Sequence, residues 1–104
     1  MTEDQEILTI DLFDRLCAKY HSEVLDVGKF RSCFMAKNFT YSKGSTSHIQ
    51  DMFNFTIDLF EALNVTIKNV TWLDLDDFLY LFDNFTFYFA DSKKFGEMLT
   101  RCFR

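Results

Sequence analysis

Proline is absent from this 104-residue chain, and glycine occurs three times, at positions 28, 44 and 96. Little therefore interrupts long helices, because these two residues are the strongest helix breakers. Isolated glycines also exclude the Gly-rich loop that cradles a phosphate. No apolar run approaches the roughly 20 residues that span a bilayer. The most apolar stretch, residues 78–90 (FLYLFDNFTFYFA), is too short and is broken by Asp83 and Asn84. The first residues, MTEDQE, are acidic where a secretory leader needs positive charge. Three cysteines, Cys17, Cys33 and Cys102, cannot all pair, which suits a reducing compartment. The expectation is a cytoplasmic protein with no cofactor and no membrane insertion.

What the chain has in excess is phenylalanine, 14 residues against four Tyr and one Trp. So many rings in one small domain fill a core, line a groove, or do both. A chain of this length forms one domain (1–104) and buries roughly two-thirds of its unfolded surface. Its net charge of −5 disfavours nucleic acid and anionic membranes as partners. The charges are segregated. Residues 27–50 carry no acid, whereas residues 51–91 carry eight acids against Lys68 alone. The last stretch is basic, with Lys93, Lys94, Arg101 and Arg104.

An internal repeat organises the chain. Residues 9–16 (TIDLFDRL) and 56–63 (TIDLFEAL) agree at six of eight positions, at an offset of 47. At an offset of 48, Leu25-Asp26-Val27 aligns with Leu73-Asp74-Leu75, Phe30 with Phe78, and Cys33-Phe34 with Leu81-Phe82. Two blocks in the same order describe a duplicated unit of about 45 residues. Each unit reads as helix, short loop, helix, giving 1–37 and 47–89 with a polar linker at 38–46. In the first unit, Leu8, Leu12, Leu16 and Tyr20 recur every four residues, beside Phe13 and Cys17. Thr2 and Gln5 form a predicted capping box, and Asp26 a predicted N-cap for a second helix ending near Lys37. Ser47 and Gln50 offer a box for a third helix with Ile49, Phe53, Phe60 and Leu63 on its face. Residues 64–71 read as a loop, followed by helices from about Leu73 towards Tyr88 and from Ser92 to Phe103. A competing signal is the strict apolar–polar alternation of 53–59 (FNFTIDL), which fits a half-buried strand. Its repeat mate lies in a helical pattern, so the helix is preferred.

With these motifs the chain resembles a pair of EF-hands, the helix–loop–helix units of the calmodulin superfamily. Leu12-Phe13…Leu16 and Leu59-Phe60…Leu63 look like the end of the incoming helix. Phe30, Cys33 and Phe34, and Phe78, Leu81 and Phe82, look like the start of the outgoing one. The resemblance spans residues 4–89 and implies that Leu25 and Leu73 pair in a short ladder. It does not imply calcium. The loops run Cys17–Lys29 and Asn64–Asp77, thirteen and fourteen residues rather than twelve. Early ligand positions hold Cys17, Lys19 and His21, then Asn64, Thr66 and Lys68. Lys29 stands where a final glutamate is needed, and ammonium groups cannot ligate a hard cation.

Other chemistry is thinly represented. Asp74, Asp76 and Asp77 could serve as an acid–base or metal cluster, but three acids in a first helical turn are what the helix dipole favours. Cys17 and His21, with Cys33, fall short of a zinc set, and no orienting group accompanies a Cys–His dyad. Lys29 to Lys43 interleave with Phe30, Phe34, Phe39 and Tyr41, too few cations for a nucleic-acid surface. The reading is therefore an all-α bundle of two EF-hand-like units plus a C-terminal basic amphipathic helix (92–104). Its expected function is non-catalytic, calcium-independent binding of a partner's amphipathic helix, or of a second copy, in a Phe-rich groove. The candidate partner-binding residues are Phe30, Phe34, Phe78 and Phe82, which the sequence does not divide between core and groove, then Phe85 and Phe89, with Phe95, Leu99 and Phe103 from the last helix. The alternative is a secreted or virus-type helical effector. All five Asn residues, at 38, 54, 64, 69 and 84, begin Asn-x-Thr glycosylation triplets.

Overall fold

The structure, a computed structural model, describes residues 1–35, 45–86 and 92–103, with backbone alone at 45–49 and 92. The order is α1 (Glu3–Lys19), β1 (Leu25–Asp26), α2 (Val27–Cys33), α3 (Ser45–Leu63), a π turn (Asn64–Lys68), β2 (Trp72–Leu73), α4 (Leu75–Phe85) and α5 (Ser92–Cys102). The fold is an all-α bundle with one two-stranded ladder. Most of the predicted linker lies outside the described residues, as do Phe87, Tyr88 and Phe89 and the side chains of Ser47 and Ile49.

Local chemistry starts each helix. At α1 the Gln5 amide donates to Thr2 Oγ1 (3.1 Å) and the Thr2 amide to Gln5 Oε1 (2.8 Å), a reciprocal box. At α2 the Lys29 amide donates to the Asp26 carboxylate, 3.0 Å. At α4 Asp74 and Asp77 form a second reciprocal box (2.9 and 3.3 Å), so two of the three clustered acids are capping groups. The alternating segment 53–59 is helical within α3: Phe53, Thr56, Ile57 and Phe60 are buried in a 3–4 spacing.

The repeat is visible in the packing. Leu25 and Leu73 are register partners in the antiparallel ladder, and the Val27 amide donates to the Thr71 carbonyl at 3.0 Å. Phe30 and Phe78 are both fully enclosed, with ring centroids 5.3 Å apart. Thr9 and Thr56 are both buried, and each hydroxyl donates to the carbonyl four residues back (2.7 and 2.9 Å). That geometry satisfies a polar group inside an apolar interface.

Two boundaries and the exposure of one residue differ from expectation. The second helix ends at Cys33 rather than near Lys37, because Phe34 turns extended and bridges Phe103 while the Met35 amide donates to the Cys102 carbonyl (2.7 Å). That long-range pairing leaves no local trace in the sequence. Residues 64–68 continue α3 as a π turn instead of opening a loop, and Asn69 stops it in the left-handed region (φ 56°). The buried Asn64 side-chain amide donates to the Trp72 carbonyl at 3.1 Å, tying this turn to β2. Leu63, placed by pattern on the buried face of α3, is half exposed.

Candidate functional site

The phenylalanines expected to line a groove are closed into the core. Phe30, Phe78, Phe82 and Phe95 are fully enclosed, and Phe34, Phe85, Leu99 and Phe103 are buried. Phe89 lies outside the described residues. Helix α5 closes the space, carrying Phe95, Met98, Leu99, Cys102 and Phe103 inward. Phe103 stacks on Phe30 (5.5 Å, 3° between planes) and contacts the rings of Phe34, Phe53 and Phe82 at 5.2–5.9 Å. The eight described residues are thus one packed cluster, not an open binding surface. The chain itself supplies the amphipathic helix that such a groove would accept.

A different surface is bare, and the repeat identifies it. Leu12 and Leu16 of α1 are 1% and 3% exposed, whereas their repeat mates in α3, Leu59 and Leu63, are 50% and 49% exposed. Helix α1 packs against both α4 and α5, while α3 packs against α2, α4 and its own π turn. Among the described elements nothing covers α3 as α5 covers α1. Phe55, Leu59 and Leu63 recur every four residues on α3, and Ile67, 74% exposed, extends the row into the π turn.

Beside this row is a cleft of about 240 Å³, lined by Phe60, Leu63, Asn64, Ile67, Lys68, Asp77 and Tyr80. Tyr80, projecting from α4 at 66% exposure, lies with its ring centroid 5.4 Å from that of Phe60. Tyr80 also walls a second cleft of about 290 Å³ with Met1, Glu6, Asp76, Leu79 and Asp83. The two clefts therefore flank one tyrosine, the first mainly apolar and the second edged by three carboxylates. The α-amino group of Met1 donates to Asp83 (2.6 Å) within the second. Lys68 donates to Asp77 in the first, and this hydrogen bond, with the neighbouring carboxylates, holds its ammonium above the ordinary range. Arg31 bridges from α2 to Asp58 and Glu61 of α3 at 2.9 and 3.0 Å. Being largely solvated, that bridge contributes at most about 1 kcal/mol. Sequence periodicity placed Leu63 on the buried face of α3 and did not single out Ile67, which lies in the segment read as a loop. Nothing in the sequence says which of the two leucine rows the last helix covers.

The thiols are placed as core residues. Cys17 is buried in α1, while His21 lies past the helix end, exposed and at φ 53°, so the two do not converge on one point. Among the described residues no group of three His, Cys, Asp or Glu is placed to hold a metal. Burial, then Asp14, raises the Cys17 pKa, and burial pushes Cys102 up to about 11. Cys33 Sγ lies 3.0 Å from the Tyr20 hydroxyl, a hydrogen bond that raises the tyrosine pKa. A thiol whose folded pKa is raised stabilises the fold below its unfolded value and loses that contribution as pH climbs through the folded value. For Cys102 the window runs from 9 to about 11. The unfolding midpoint should therefore fall across this range, and native Cys17 and Cys102 should resist iodoacetamide at pH 8. Mass spectrometry of the alkylated native chain checks the second point; rapid labelling of either would contradict their burial.

Of the glycosylation triplets, Asn69 and Asn84 are exposed and Asn54 is half-buried, accepting from the Gln50 amide at 3.1 Å. Asn64 is enclosed and engaged with Trp72, leaving no room for a glycan in this fold. Asn38 lies outside the described residues. Comparison with family models, with curated proteins and with solved structures finds no match to the chain.

Proposed function

We propose that the chain is a non-catalytic, calcium-independent protein-interaction module whose interface is the bare outer face of α3 together with Tyr80. One observation carries this reading: repeat-matched leucines are sealed in α1 and left open in α3. An apolar row extending over three helical turns is more than the scattered exposure usual on a monomer's surface. A row at four-residue spacing is also the geometry that another helix packs against. The thiols with raised pKa values are buried and capped by packing, which supports a scaffold over a nucleophile.

The test compares capture from the native source by the intact chain and by the Leu63→Asp/Ile67→Asp variant, in millimolar calcium and in chelator. Both positions are half or more exposed, so the variant's thermal midpoint should stay within a few degrees of the parent. A set of proteins retained by the parent in both media and lost by the variant is expected. An identical set on both chains would remove the α3 face from consideration, and micromolar calcium binding by calorimetry would overturn calcium independence.

A further inference from the structure

Resting on that reading, we infer that the partner at the α3 face is a basic amphipathic helix, seated on α3 much as α5 is seated on α1. The first ground is the repeat. Leu12 and Leu16 are sealed where α1 packs with α4 and α5, and α5 is itself a basic amphipathic helix, with Phe95, Met98 and Leu99 inward and Lys93 and Arg101 outward. Leu59 and Leu63 present the same side chains at the same spacing with no such helix over them.

The second ground is charge. Around the bare face, residues 51–86 carry seven acids; Lys68 pairs with Asp77, Arg31 with Asp58 and Glu61, and the Met1 α-amino group with Asp83, so acids outnumber cations seven to three. Beyond Tyr80 the second cleft adds Glu6 from α1 to Asp76 and Asp83 of α4. Asp76 and Asp83 stand four residues before and three after Tyr80, so they bracket its ring on one side of α4. An apolar side chain fits the Leu63–Ile67 cleft, and a lysine or arginine is attracted to the other, where three carboxylates face the single Met1 ammonium. The clefts lie on either side of Tyr80 on α4. A single helix laid across Tyr80 presents an apolar anchor to one cleft and a cation to the other.

The experiment pans a displayed library of helical 18-residue peptides against the intact chain. Enriched peptides should pair an apolar anchor with Lys or Arg on the same helical face. Their affinity should fall at least tenfold with Asp76→Asn/Asp83→Asn, at least tenfold with Leu63→Asp, and further as salt rises. Peptides without a cation preference that are still lost on Leu63→Asp would overturn this inference while leaving the α3 reading in place. Peptides indifferent to both Leu63→Asp and Tyr80→Ala would overturn the two together. A wild-type dimer in sedimentation that Leu63→Asp dissolves would assign the face to a second copy and overturn the basic-helix inference.

Discussion

Replacing Phe30 by Ala is expected to remove about 3–5 kcal/mol of stability, the usual cost of deleting a fully buried ring. Phe30 is fully enclosed and stands at the centre of the core, with the rings of Phe53, Phe78, Phe82 and Phe103 at 5.3–6.1 Å. These partners come from α3, α4 and the segment after α5, so no single element can collapse to fill the void. Phe78→Ala should cost a similar amount, because its ring meets Phe13 at 5.0 Å and Phe82 at 4.6 Å as well as Phe30. Against the roughly 5–15 kcal/mol available to a small domain, either change leaves a marginal fold. Urea unfolding measures both. The exposed Phe55→Ala serves as a control with little change, and a Phe30→Ala value below about 1 kcal/mol would contradict the central packing.

Ending the chain after Asp91 is expected to abolish cooperative unfolding altogether. The deletion takes away Phe95, Met98, Leu99, Cys102 and Phe103, none more than 3% exposed. Large apolar side chains contribute about 1.5–3 kcal/mol each on burial, so the lost contacts are on the order of 10 kcal/mol, comparable to the whole net stability. The cut also uncovers the faces of Phe30, Phe34, Phe53 and Phe82 that Phe103 now covers. Calorimetry and near-ultraviolet circular dichroism decide the matter. A truncated chain that keeps a sharp transition and binds an apolar dye would make α5 a displaceable ligand rather than part of the core.

The elements legible in the sequence were those fixed by short-range chemistry. Thr2 with Gln5 and Asp26 with Lys29 start helices because a side-chain oxygen three residues before an amide can reach it. The repeat aligned Leu25 with Leu73 and Phe30 with Phe78, and both pairs share one environment. The elements that escaped depend on contacts distant in sequence. Phe34 and Met35 leave α2 early to meet Phe103 and Cys102, more than sixty positions along the chain. The π turn at Asn64–Lys68 is held by Asn64 reaching Trp72, which residue propensities do not encode. The space between the phenylalanines is filled rather than open for one reason. A periodic apolar row marks a helix face, but whether that face is covered depends on how many helices are available to cover it. With α5 assigned to α1, the Phe cluster closed and the matching leucines of α3 stayed open.

The pairing of Phe34 with Phe103 and of Met35 with Cys102 also bears on biosynthesis. The residues that seal the aromatic core follow, in chain order, everything they cover. A ribosome extending the polypeptide therefore exposes Phe13, Phe30, Phe53, Phe78 and Phe82 before it has made the segment that shields them. Neither helix–loop–helix unit can reach its final packing before α5 is made, and the acids spread through residues 1–26 and 51–91 help keep the nascent chain solvated. Folding of this domain is consequently completed only once α5 has emerged, and the interval before that is when the chain is most prone to aggregation and most open to chaperones.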